Sequence, residues 1–335
     1  MSFAIDKVYT LPEIMRSQGP NGSTLKLIDV LSQQVPIVEE AYWERANGDT
    51  THEMLRVSSE PTGTLVRYNE GTPNSAATSV PIMEPMCRLE DRLQIDTRIL
   101  DKAADPIEFR RSREATHFRG LIKTFHSTIF GKNGYGARGA DMRSIDGLTT
   151  RMNAIALNSV MSNGGAVANM ASIWIIKWGT DGVFLTYPQN MSKMLSVTDL
   201  REQPAYDAAG NRYEVVMTKF GWEFGLNIAD ARAVKRLCNI NVTPGSTVGS
   251  FGNDTNVAKG EENMIDLIET LPMGDTSNTA IYVGPQVMAA FRKRFNAKGN
   301  LFFDQQDVWG RKQLTFQGIP VIRVDTLGAD ESTIS

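Results

Sequence analysis

Gly134-Tyr-Gly136-Ala-Arg-Gly139 carries the G-x-G-x-x-G spacing with which dinucleotide enzymes bring a backbone turn against a pyrophosphate. That chemistry needs a strand entering the turn and a helix leaving it, so that the pyrophosphate sits on a helix N-terminus. It also needs an acid about 20 residues further on for the ribose. Here the pattern ahead of the glycines is helical, residues 140–159 are not a strongly apolar helix, and residues 154–164 contain no carboxylate. Nor does a Gly-Lys-Ser/Thr phosphate loop occur. The glycines are therefore read as a sharp hinge after a rigid rod, at Gly131, Gly134, Gly136 and Gly139.

Other reactive groups are sparse. The cysteines are Cys87 and Cys238 and the histidines His52, His117 and His126, with no His-x-x-x-His, Cys-x-x-Cys or Gly-x-Ser-x-Gly among them. No metal or other cofactor is implied, and both thiols read as reduced and structural, which suits the cytosol. Carboxylates are plentiful, but a glycosidase-like pair converges only in space, which is weak ground for an enzyme. The net charge of -3 comes without a basic tail, so tight, sequence-independent binding to nucleic acid is not expected. The first residues lack a cationic flank before an apolar run, and no segment approaches the roughly 18 apolar residues of a membrane span. A soluble chain that is not exported is expected. Its 335 residues can bury a real core in one large domain or a few smaller ones.

The elements that would position any site begin with a short amphipathic arm helix, with Leu25, Ile28 and Leu31 on one stripe after Ser23 and a stop at Pro36. Residues 50–58 and 86–96 read as strands. In the second, Cys87, Leu89, Leu93 and Ile95 share one face and Arg88, Glu90, Arg92, Gln94 and Asp96 the other. The polar stretch between them, rich in Gly, Pro, Ser, Thr and Asn, is too long for an ordinary hairpin tip. Either it is a solvated surface ribbon or it lies on another subunit. Asp105-Pro106-Ile107-Glu108 is a capping-box start for a long helix with Phe118, Leu121, Ile122, Phe125 and Ile129 on its core stripe and Arg113, Arg119 and Lys123 opposite.

The remainder reads as mixed α and β. Strand 172–179 is expected to form a hairpin with 182–188, and an alternating strand runs over 213–228 with Lys219, Glu223 and Asn227 facing away from Phe220, Trp222 and Phe224. Residues 231–238 read as a short helix, 263–271 and 285–295 as helices, 280–284 as a buried strand, and 314–324 as a terminal hairpin. The fold class is α+β.

Several of these stretches, in this order, resemble the major capsid proteins of tailed bacteriophages, particularly a short-tailed branch. They are Cys87-Arg-Leu-Glu-Asp-Arg-Leu-Gln-Ile-Asp96, the helix ending in Phe130-Gly131, Asp146-Gly-Leu148, Ser172-Ile-Trp-Ile-Ile-Lys-Trp-Gly179, Arg212-Tyr-Glu-Val through Trp222, and Phe316-Gln-Gly-Ile-Pro320. The glycine stretch 131–139 departs from the pattern as a local insertion or variant. The resemblance implies the tailed-phage capsid fold, with an N-terminal arm (1–45), an extended β-hairpin loop (46–98), a spine helix (105–130, within 99–150) that leads into a peripheral domain, and interleaved axial and peripheral domains (151–335). It implies a shell protein rather than an enzyme, forming hexamers and pentamers of an icosahedral virion head assembled in the host cytoplasm. Implied partners are further copies of itself, scaffold, portal and decoration or staple proteins, and packaged double-stranded DNA touched weakly and non-specifically. Arg56, Arg67, Tyr68, Glu70, Arg88, Glu90 and Arg92 are the expected inter-subunit residues of the loop. A bacterial nanocompartment shell protein is one alternative, and a cytosolic mixed α/β enzyme another. Some shells of this fold are hardened by a lysine–asparagine isopeptide bond; between Lys26 and Lys102 this chain has no lysine, so a noncovalent shell is expected.

Overall fold

The computed structural model describes residues 36–59, 61–139, 144–165, 169–190, 195–242, 257–295, 303–308 and 311–335; the expected arm helix lies outside them. In chain order the elements begin with α1 (Pro36–Glu40), β1 (Trp43–Arg45), β2 (Thr51–Ser59), β3 (Thr78–Asp96), α2 (Thr97–Leu100), α3 (Pro106–Phe130) and α4 (Leu148–Arg151). There follow β4 (Val160–Ser162), β5 (Met170–Lys177), β6 (Val183–Tyr187), β7 (Leu195–Tyr206), β8 (Arg212–Ile228) and β9 (Val234–Asn241). The last are α5 (Val257–Glu269), β10 (Thr279–Val283), α6 (Pro285–Phe295), β11 (Phe303–Val308), β12 (Arg311–Phe316) and β13 (Ile319–Arg323). The described residues fall into two compact units, one drawn from Arg88–His126 and Ser192–Glu223, the other from Pro36–Cys87, Ser127–Met191 and Phe224–Ser335.

In the first unit α3 starts where its cap dictates. The Asp105 carboxylate accepts from the backbone N–H groups of Ile107 and Glu108 at 3.0 and 3.1 Å, and Pro106 occupies the first position, where no amide donor is needed. Phe109 and Leu121 pack with Leu93, Ile95, Ala103 and Phe220, and Phe125 stacks on Trp222 with ring centroids 4.4 Å apart. Burying one such ring contributes about 1.5–3 kcal/mol. Strands β7 and β8 pair antiparallel from Leu195↔Trp222 to Tyr206↔Arg212, and the Asp207 carboxylate closes their turn by accepting from the Ala209 and Asn211 amides. Strand β7 was not foreseen, because its mostly exposed sequence carries no sustained apolar alternation; pairing along β8 holds it instead.

The second unit is built on a seven-stranded sheet in the order β11-β12-β13-β10-β5-β9-β4. Ile173, Ile175, Leu237, Ile240, Ile281 and Val283 bury against Met264, Leu267 and Ile268 of α5 and Val287, Met288 and Phe291 of α6. The helical spacing of those six residues is what lays both helices on the sheet.

Four expectations are corrected by the structure. Strands β5 and β6 do not form a hairpin: β5 is paired on its two sides by β9 and β10, while β6 runs between β1 and the end of β8. A strand with both edges taken cannot accept its neighbour in sequence, and the chain changes sheet at Gly179 and Gly182, where a side chain on Gly182 would stand 2.6 Å from the Lys177 carbonyl oxygen. Residues 234–241 are a fully buried strand and not a helix. Asn227 does not face solvent; it is fully buried and donates to the Thr186 hydroxyl at 2.9 Å. The strand expected at 86–96 also begins earlier, at Thr78.

Candidate functional site

Strands β2 and β3 form the root of a two-stranded ribbon, antiparallel from Thr51↔Pro85 to Ser59↔Thr78, with a bulge at Val57/Ser59. Alternation gives the root two faces. On one, His52 is buried with its ring edge-on to Phe184, and Glu84 is buried in a fork of Arg151 at 2.6 and 2.7 Å. Arg56 donates to the carbonyls of Ala229, at 3.1 Å, and Ile228. On the other face Leu55 is 74% and Met83 57% exposed. The root is thus bolted to its own body through charge-assisted, largely desolvated hydrogen bonds.

Beyond the root the chain leaves the sheet. Residues 61–77 are all exposed and contain no strand or helix. Among the described residues of this tip, hydrogen bonding is internal. The Glu70 amide donates to the Arg67 carbonyl at 3.1 Å, the Arg67 amide donates to the Glu70 carboxylate at 2.9 Å, and Asn69 has φ +69°. A left-handed residue at the third position with this hydrogen bond is the signature of a type II turn, for which Asn is suited. Tyr68 in this turn and Leu65 two residues ahead of it have no cover at all.

The remaining loop residues lie at the base of β3, in the first unit, and pair within the subunit. Arg88 meets Glu90 at 2.6 Å and Glu223 at 3.2 Å, and Lys219 meets Glu90 at 3.0 Å. The Lys219 ammonium, with Arg88 beside it, holds the Glu90 carboxyl below the usual carboxylate range. Arg92 is exposed. Of the helix stripe, Leu121, Ile122, Phe125 and Ile129 are buried and Phe118 is half-buried. Phe109, also buried, escaped sequence reading because it stands a full two turns ahead of the stripe.

The glycine stretch folds back on the end of α3. Gly131, Gly134 and Gly136 have φ of +72°, +79° and +77°; Gly139 is not among the residues of positive φ. A side chain on Gly136 would stand 2.5 Å from Gly131 Cα, and one on Gly147 2.6 Å from its amide nitrogen. The Gly147 amide donates to the Gly136 carbonyl at 2.8 Å, and the Thr149 and Thr150 hydroxyls donate to the carbonyls of Phe130 and Gly136. The glycines permit close approach of backbone, and a helix enters the stretch where a dinucleotide site would have a strand.

Sequence reading also missed a buried charge cluster. Glu331 accepts from Arg236 at 2.8 Å and from the Ser172 hydroxyl and forms an ion pair with Lys132 at 2.8 Å, while Arg236 lies 4.8 Å over the Trp174 ring and donates to the Met152 carbonyl. Burial pushes the Glu331 carboxyl up, but Arg236 and Lys132 outweigh it and hold it below the usual range. The one hint in sequence is Lys235-Arg236 inside an otherwise apolar run. Burial also pushes the Cys87 thiol up to about 12 and raises that of Cys238, so neither is a thiolate at neutral pH.

A capped spine helix, a two-stranded ribbon thrown off an α+β body and helices laid on a central sheet make up the tailed-phage capsid fold. A solved structure of bacteriophage Epsilon15 matches with a TM-score of 0.72 and 22% identity over 100% of this chain and 99% of that one. The bacteriophage JBD30 capsid matches with a TM-score of 0.52 and 9% identity over 91% of this chain and 95% of that one. An encapsulin complex from Synechococcus elongatus PCC 7942 aligns at a TM-score of 0.46 and 12% identity, over 73% and 95%. No curated protein matches the sequence. The chain belongs to the family of major capsid protein GP7, whose family model matches residues 19–335. It is a bacteriophage capsid protein.

Proposed function

We propose that this chain assembles as hexamers and pentamers into an icosahedral head that encloses double-stranded DNA, acting as a structural shell without catalysis. The observation that carries the reading is the ribbon: its root is fixed to the subunit through Arg56 and Glu84 while residues 61–77 are exposed throughout. In a protein of a capsid family, such a segment finds its cover on a neighbouring copy. Residues 1–45 serve as the arm, 46–98 as the extended loop, 99–150 as the spine helix and start of the peripheral domain, and 151–335 as the interleaved axial and peripheral domains. Arg56, Arg67, Tyr68, Glu70, Arg88, Glu90 and Arg92 of the loop are the inter-subunit residues, Arg56, Arg88 and Glu90 also pairing within their own subunit. Scaffold, portal and decoration or staple proteins complete assembly in the host cytoplasm, and DNA is touched weakly, in keeping with a net charge of -3.

The shell is noncovalent. The loop has no lysine to act as a nucleophile, and both cysteines are buried. Electron microscopy with light scattering of the purified protein tests the reading: closed shells are expected, and a monomer or dimer under all conditions contradicts it. Particles boiled in detergent should give a single band near 37.0 kDa in reducing buffer, whereas a ladder of multimers refutes noncovalent closure.

A further inference from the structure

We infer that Leu65 and Tyr68 are the apolar anchors with which the ribbon tip engages a second copy of this chain, an inference that rests on the copy-to-copy overlap proposed above. Singly exposed apolar residues are ordinary on protein surfaces. These two differ in three respects. They are 102% and 101% exposed, three positions apart, on a tip otherwise made mainly of Gly, Pro, Ser, Thr, Asn and Ala. The backbone at Tyr68 is already set by the reciprocal hydrogen bonds of Arg67 and Glu70, with Leu65 two residues ahead of the turn, so less ordering remains to be done on binding. And a tyrosine that buries an aromatic body while keeping its hydroxyl for a partner is the residue type most often found to dominate interfaces.

The chemistry of the tip also selects its occupant. Within residues 61–77 the charged side chains are Arg67 and Glu70, which cancel, so nothing draws the tip to a phosphate backbone. A protein surface with an apolar recess is what a net-neutral, apolar-tipped segment fits. Membership in a capsid family places further copies of the chain against each subunit, and one tip per copy means that the contact recurs at every equivalent junction of a closed assembly. From Thr51 to Tyr68 an extended chain spans at most about 60 Å, a length available for reaching a neighbouring copy. The anchors confer affinity, while the rim of Gly, Ser, Thr and Asn tolerates the unequal environments that one sequence meets in a shell.

The test compares full-length wild-type protein with the Leu65→Ala/Tyr68→Ala double variant, a Thr62→Ala/Asn74→Ala control and a deletion of residues 61–77. Light scattering and electron microscopy give the lowest protein concentration that yields shells, and thermal unfolding of unassembled subunits checks the fold. The double variant should raise that concentration at least about tenfold with unfolding unchanged, and the control should match wild type. A double variant that assembles like wild type while the deletion does not overturns the anchor assignment and leaves the overlap standing. A deletion that assembles like wild type overturns the overlap itself. A control as defective as the double variant also overturns the anchors, because the tip would then act through its backbone.

Discussion

Within the second unit, the seven-stranded sheet and the ribbon root place their side chains by opposite rules. Strand β9 is buried at every position and includes Lys235 and Arg236, whose charged chains would ordinarily seek water. On the outward face of the ribbon root it is Leu55 and Met83 that are exposed. A buried guanidinium survives because Glu331, Ser172 and the Met152 carbonyl satisfy it and Trp174 covers its face. An exposed leucine on a ribbon survives because nothing in the subunit needs it buried. Under the proposed function, the contrast separates what folds the subunit, where the charges are closed on one another, from the ribbon that the subunit holds out to its neighbours.

Breaking the sheet side of this contrast should produce the largest effects. Arg236→Ala leaves the Glu331 carboxylate buried with Lys132 as its remaining cation and should cost about 3–5 kcal/mol in subunit unfolding by denaturant. Phe125→Ala, which empties a fully buried site against Trp222, belongs in the same range of about 3–5 kcal/mol; a loss under about 1 kcal/mol would show that the helix stripe does not carry the core. Arg151→Ala removes both arms of the fork on Glu84 and should cost about 2 kcal/mol, with hydrogen exchange rising in β2 and β3 first.

Acid sharpens the comparison further. Glu331 has its pKa lowered in the folded state, so its ion pairs contribute fully above the unfolded value of about 4.3 and are lost as pH falls through the folded one. Stability of the wild-type subunit should therefore drop below about pH 4, and Glu331→Gln should flatten that dependence in urea titrations repeated across pH. The smallest effect belongs to the ribbon tip: Tyr68→Ala should change subunit stability by less than about 0.5 kcal/mol, since the side chain touches nothing there to lose.

What could be read in advance follows the same division. Helix α3 was legible because its signals are local: Asp105, Pro106 and Glu108 at the start, Gly131 at the end, and a stripe at 3.6-residue spacing between them. Strand β9 was misread because Lys235-Arg236 looks solvent-facing until its partner Glu331, 95 residues along the chain, is brought to it. The β5–β6 hairpin failed for a related reason, since the glycine turn between them is local while the pairing of β5 with β9 and β10 is not. The ribbon tip was legible as an open polar stretch, but the Arg67–Glu70 turn that fixes its end was visible only as an asparagine flanked by Tyr68 and Glu70, a weak signal in a loop full of turn formers.

The separation of folding from assembly is tested most directly by deleting residues 61–77 and measuring, on the same preparation, cooperative unfolding and particle formation. The account predicts a subunit that unfolds with wild-type midpoint and slope but forms no closed shells at concentrations where wild type does. A deletion that unfolds the body, or one that still yields shells like those of wild type, would contradict it.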